Sequence, residues 1–272
     1  MVSLSADGGK RSGVVDKSIE DVRQYWFVIS ELTGREIKRK YARSYLGVIW
    51  SVLNPLLYML VMTLVFSTMF KRNIDNYPLY FVTGHILWSV FGSITGSVMT
   101  VLQDNRGLLM KAKLPKRVFI LSRCYTALVN LLYSLIAYMP IVFITGAKPS
   151  PVMLLLIPDI ICITVFSLGI GYILSILYVF FADIKYLWSV VMTLWMYLSA
   201  LFYPVDRLNP VMQDFVYNNP VYDFILFARE CMVYGRVPDA RLFARIVIFA
   251  AGSYLLGYLI FKKYENEVMK KL

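Results

Sequence analysis

Residues 160–182 read IICITVFSLGIGYILSILYVFFA, a run without one charged side chain. A helix needs roughly 20 apolar residues to cross about 30 Å of hydrocarbon, so this stretch alone is long enough to span a bilayer. Outward from it, residues 44–70, 76–103, 124–147 and 186–205 are equally free of Asp, Glu, Lys and Arg. A further span, 242–261, carries Arg245 near its start, where a long side chain snorkels toward headgroups while its stem stays in the apolar layer. The expected fold class is therefore an all-α membrane protein with six transmembrane helices. Composition agrees: at 58% hydrophobic, 15% aromatic and 17% charged, the chain is too apolar for one ordinary soluble domain.

Lys and Arg are retained in short cytoplasmic loops, so their distribution orients the spans. Nine lie in the leader through Arg43, six lie between 104 and 123, and the tail holds Lys262, Lys263, Lys270 and Lys271. The alternate links are poorer: Lys71 and Arg72, then Lys148 alone, then a 206–241 segment in which four Arg are mixed with five acids. Both termini are expected on the cytoplasmic side. The net charge of +11 then reads as a topological signal that meets anionic membrane lipids, not nucleic acid. The first apolar run begins after some 45 polar or mixed residues, which does not read as a cleavable signal sequence.

Four regions follow. Residues 1–17, rich in Gly, Ser and Lys, are expected to be a flexible cytoplasmic leader. Residues 18–45 hold an amphipathic interface helix and a basic link: Ser18 with Asp21 suggests a capping pair, and Ile19, Val22, Trp26, Ile29 and Thr33 recur at helical spacing. A soluble surface helix is the competing reading of that pattern. Residues 46–262 form the transmembrane domain, and 263–272 a cytoplasmic tail. Between the fifth and sixth spans, Pro204, Pro210, Pro220 and Pro238 divide 206–238 into two apolar pieces too short to cross, read as re-entrant helices of an extracytoplasmic gate.

The chemistry of an enzyme is hard to find. His85 is the single histidine, the three cysteines have no metal-ligand spacing, and Gly8-Gly9-Lys10-Arg11 lacks the glycine and hydroxyl positions of a phosphate loop. No catalytic residue, metal site or cofactor is assigned to this chain. Asp159 is the one acid within a candidate span, and its position after Pro158 suggests the outer interface. Aromatic residues are abundant where charges are absent. Trp50, Tyr58, Trp88, Phe91, Tyr125, Tyr133, Trp195 and Tyr197 are candidate lining for a channel that offers sugars an apolar face and a polar rim. An interfacial belt or simple packing explains the same residues. The basic link 104–117 contains Asp104, Arg106, Leu108, Lys111, Lys113, Pro115, Lys116 and Arg117; it reads either as a docking element for a cytoplasmic partner or as a positive-inside signal.

The stretch REIKRKYARSYLGVIW at 35–50, followed by Asn54-Pro55, carries a family resemblance. So do TGHILW at 83–88, LPKR at 114–117, Ala182-Asp183, LFYP at 201–204 and Asn219-Pro220, in that order along nearly the whole chain. Together they resemble the permease subunits of ABC exporters for polysaccharides, which include O-antigen, capsule and teichoic acid carriers. Glu36 stands where Asp is commoner and Leu114 where Phe is commoner, which blurs the subfamily. The resemblance implies a bacterial cytoplasmic-membrane subunit that pairs with a second copy of itself. Each copy would bind a separate ATP-binding cassette subunit, two in all, which holds the ATP and Mg. The 104–117 link would be the coupling helix. Arg35, Lys38, Arg39 and Arg43 would attract the phosphates of an undecaprenyl-type lipid-linked glycan. An ABC exporter of small lipids or drugs, and a membrane-embedded glycosyltransferase, are the competing functions; the second needs a carboxylate cluster that the sequence does not offer.

Overall fold

The computed structural model describes residues 8–42, 44–47, 49–70, 74, 76–111, 114–146 and 150–272. Arg43 and Lys113, both candidate site residues, fall outside them, as do Lys71, Arg72 and Lys148 of the outer links. The described residues are helical and contain no strand. In chain order the helices are α1 (Gly8–Tyr41), α2 (Ile49–Phe70), α3 (Tyr77–Asp104), α4 (Arg106–Lys111), α5 (Lys116–Ile144), α6 (Leu156–Phe180), α7 (Ile184–Leu198), α8 (Pro210–Tyr217), α9 (Pro220–Met232) and α10 (Ala240–Lys271). Among the described residues, four stretches are long and apolar enough to cross a membrane: Tyr77–Asp104, Lys116–Phe143, Pro151–Phe180 and Ala240–Lys271. Helix α2, at 22 residues, has the length of a crossing and contains the apolar stretch Val52–Phe66, whereas the apolar α7, at 15 residues, is shorter than a full crossing.

Local chemistry sets the helix starts. Asn76, Asn209 and Asn219 each accept a hydrogen bond from a backbone N–H of the first turn, and a proline follows in that turn, where its missing N–H costs nothing. Asp239 caps α10 in the same way. The interface helix departs from its expected start: Ser18 lies inside α1, which already begins at Gly8 and continues to Tyr41. Its Ile29 and Thr33 are buried, with the Thr33 hydroxyl donating to the Ser122 carbonyl of α5 at 3.2 Å, while Trp26 and Phe27 stay exposed.

Helix α3 is central, packing on α2, α5, α6 and α9. Its Phe81, Leu87, Phe91, Ile94, Val98 and Leu102 are fully enclosed. Helices α6 and α10 meet closely enough that a Cβ on Gly257 would fall 2.0 Å from the Gly169 carbonyl oxygen, and one on Gly169 would fall 2.3 Å from the Ser253 backbone. The Ser253 hydroxyl donates across this crossing to the Phe166 carbonyl at 2.9 Å. By contrast, α7 buries none of its residues, and none of the described α2 side chains is buried. The segment between α7 and α10 folds as a short 3-10 turn followed by α8 and α9; at 13 residues, α9 is about 20 Å long and cannot cross.

Two charged residues of the candidate spans gain a setting here. Asp159 lies in the first turn of α6, at the start of its helix as expected, but it is fully buried within the protein, and neither carboxyl oxygen has a hydrogen-bond partner among the described residues. Arg245 lies in the second turn of α10 with its side chain 43% exposed. It approaches Asp223 of α9 at 3.0 Å and donates to the Tyr217 carbonyl at 2.6 Å, so protein groups satisfy it.

Candidate functional site: a polar groove, a basic link and an arginine clamp

Where α1 crosses α3 and α5, a groove of about 400 Å³ opens. Arg123 of α5 stands at its centre, ion-paired with Glu36 of α1 and, at 2.9 Å, with Asp104 at the end of α3. Two acids thus neutralise one guanidinium and tie three helices together. Arg35, Arg39 and Lys40 also line the groove, and none of them forms an ion pair with a described residue. The groove is therefore net cationic. Its floor is different: Ser93 and Ser97 of α3 face Thr126 and Asn130 of α5. Lys38 points elsewhere, into a neighbouring cavity of about 560 Å³ that it shares with Leu108, Leu114 and Phe119.

The link after Asp104 is short. Asn105 donates from its amide to the Val101 carbonyl at 2.9 Å and separates α3 from α4, whose Leu109 is buried while Leu108 and Met110 face out among Arg106 and Lys111. Pro115 then precedes α5. Lys116 donates to the Glu265 carbonyl at 2.9 Å, and the Arg117 guanidinium lies over the Tyr258 ring at 4.6 Å, so these two hold the link against α10.

The opposite end of the molecule is organised by a residue that sequence reasoning missed. Arg229 of α9 is 1% exposed and has no carboxylate partner among the described residues. Its guanidinium donates to the carbonyls of Ala200 and Leu201 at 3.1 Å and stacks on the Tyr80 ring at 3.5 Å. Ala200 adopts the left-handed conformation (φ 46°), which costs an L-residue roughly 1–2 kcal/mol; the guanidinium holds that reversed turn in place. Gly84 makes room, since a Cβ there would lie 3.0 Å from the guanidinium. Tyr77 and Tyr80 donate to the carbonyls of Phe202 and Tyr203, each at 3.1 Å, and Asn219 links the Trp195 indole to the end of α7. The TGHILW, LFYP and Asn-Pro motifs converge on one clamp.

The eight candidate channel aromatics are not gathered on one surface. Phe91 is fully buried and Trp88 8% exposed; Phe91 packs on Phe166, Trp188 and Trp195, so this group is core. Tyr125 stands edge-on to Trp26 of α1 at 5.0 Å, and Tyr133 lies half-buried on α5. Only Trp50 and Tyr197 are exposed, with Tyr58 partly so against His85 and Phe81. No group of His, Cys, Asp or Glu among the described residues could hold a metal ion.

An apolar helical chain with a central α3, a basic link after it and a clamped segment before its last helix is an integral membrane protein, and the chain belongs to the ABC-2 type transporter family, whose model matches residues 28–233. Among characterised relatives, it is similar to the O-antigen export system permease protein RfbA of Myxococcus xanthus, at 29% identity over 91% of this chain and 95% of the relative. The polysialic acid transport protein KpsM of Escherichia coli is 19% identical over 89% of this chain and 95% of its own length. The capsule polysaccharide export inner-membrane protein CtrC of Neisseria meningitidis is 23% identical over 71% and 74%.

Proposed function

We propose that this chain is the membrane-spanning subunit of an ATP-driven exporter that moves lipid-linked polysaccharide, O-antigen-like or of the capsule or teichoic acid type, across the bacterial cytoplasmic membrane. The observation that carries it is the end-to-end similarity to an O-antigen export permease, over 91% of this chain and 95% of that relative. In this reading α2, α3, α5, α6, α7 and α10 make six crossings, both termini lie in the cytoplasm, and α8 and α9 dip into the outer leaflet as the exit gate. Two copies pair, and the faces of α2 and α7 that the chain leaves unburied enclose the path between them, with Trp50, Tyr58 and Tyr197 as its aromatic lining.

Each copy seats α4 on a separate ATP-binding cassette subunit, which holds the ATP and Mg. The exposed Leu108 and Met110, flanked by Arg106 and Lys111, supply an apolar contact with a basic rim. Arg35 and Arg39, which form no ion pair among the described residues, receive the phosphates of an undecaprenyl-type lipid carrier at the cytoplasmic end of the groove. ATP-driven closure of the ATPase pair rocks the two copies and passes the glycan on.

Deletion of the gene tests this directly. The expected result is accumulation of a lipid-linked glycan inside the cell and loss of the surface polymer, both restored by the intact gene. Normal surface polymer in the deletion strain would refute the assignment.

A further inference from the structure

The groove at α1, α3 and α5 has two chemically different ends, and the proposed phosphate contacts account for only one. Beneath the guanidinium groups, Ser93 and Ser97 continue along α3 to Ser89, a four-residue spacing that keeps all three on one face. A smaller cavity of about 30 Å³ lies beyond, where Ser89, Ser93, Asn130 and Ser134 alternate with the apolar Ile86, Val90, Ala127 and Leu131. At about 1.5 Å per residue, Ser89 lies roughly 20 Å along α3 from Asp104, so the wall rises well above the basic link.

The hydrogen-bond inventory of this wall suits a polyol. Ser97 donates to the Ser93 carbonyl at 2.6 Å and Ser134 to the Asn130 carbonyl at 3.2 Å, so each has committed its proton and presents free lone pairs. The Ser89 and Ser93 hydroxyls have no partner among the described residues and are free to donate as well as accept. The Asn130 carboxamide oxygen accepts from Lys40 at 3.4 Å, which places a cation beside the wall. Asn130 also donates from its amide to the Thr126 carbonyl at 2.9 Å, so the capacity left open is the two Ser89 and Ser93 hydroxyls and the spare lone pairs of Ser97 and Ser134; sugar hydroxyls can use all of it, whereas a lipid tail would leave Ser89 and Ser93 without partners.

We infer that this groove is a glycosyl-phosphate site: Arg35 and Arg39 hold the phosphate, and the Ser93, Ser97 and Asn130 wall reads the hydroxyls of the sugar next to it. The wall therefore selects the reducing-end sugar of the cargo before the polymer enters the path. This rests on the export reading above and adds the sugar-reading function to the groove.

The test uses the full chain in lipid nanodiscs and two probes: a short polyprenyl diphosphate, and the same molecule bearing one N-acetylhexosamine. Wild type is expected to prefer the sugar-bearing probe. Ser93→Ala with Ser97→Ala removes that preference, with about a tenfold loss for the glycosylated probe and no change for the bare one. Arg35→Gln with Arg39→Gln weakens both alike. Ser89→Ala, at an exposed position, gives a smaller loss of the same selective kind. Equal wild-type affinity for the two probes, or a serine variant that weakens both equally, overturns the sugar wall while the export reading stands on the deletion phenotype. Failure of wild type to bind either probe overturns the site altogether.

Discussion

Arg229 shows how one side chain can be read only in three dimensions. In sequence it is an arginine in an apolar stretch; in the fold it satisfies two turn carbonyls and stacks on an aromatic ring while fully enclosed. Replacing it with Leu leaves the Ala200 and Leu201 carbonyls buried without donors, with an expected loss of roughly 3 kcal/mol, read as a lowered thermal midpoint in detergent. Lys in its place recovers part of that, because a single ammonium cannot reproduce the fork. Asp223 offers a second test at this scale. Burial raises its carboxyl to about 6 from an ordinary 3.8, with Arg245 partly opposing the rise. A raised acid contributes stability that is full below its unfolded value and lost as pH climbs through the folded one. Stability should therefore fall by on the order of 1–3 kcal/mol between about pH 4 and pH 7, and Asp223→Asn should flatten that slope in a pH series of melting curves.

Among the elements, α6 and α10 depend on two absent side chains. A Cβ on Gly257 collides with the backbone of α6, so Gly257→Ala forces the helices apart at a cost of several kcal/mol, measurable as loss of folded protein on size-exclusion chromatography. Gly252 on the same helix has nothing within 4 Å, and its change to Ala should be neutral or stabilise by up to about 1 kcal/mol through helix propensity. The long apolar helices were plain in the sequence, because an uncharged run such as 160–182 needs no partner to be recognised. What faces what was not. Trp88 and Phe91 were candidates for a channel or for simple packing, because aromatic residues look alike in sequence whether they point at the core or at a lumen; the fold buries both. The Glu36–Arg123–Asp104 network was hidden for a different reason: its members lie on separate helices, and only the fold brings them together. The serine face of α3 had a legible spacing, but nothing in one strip of sequence shows that Asn130 lies opposite.

On the scale of the whole chain, orientation is the property most open to disproof. With single cysteines introduced into a cysteine-free background, Leu108→Cys should react with an impermeant thiol reagent only after the cells are opened, and Tyr234→Cys should react in intact cells. Reversal of that pattern would place α4 on the wrong side for any ATP-dependent partner. The same layout implies that α4 governs partner binding without touching the fold: Leu108→Asp with Met110→Asp should abolish co-purification with an ATPase subunit and leave the melting temperature within a degree or two, since both side chains are exposed.

The backbone-to-backbone seam between Gly169 and Gly257 has a mechanical corollary. Helices that touch without side chains between them have no soft layer in which to slide, so α6 and α10 must travel as one stiff plate. Any widening of a passage during a cycle has to be taken up on the other flank, where the described residues of α2 and α7 pack on their neighbours only through partly buried side chains and can part from them at a lower energetic cost.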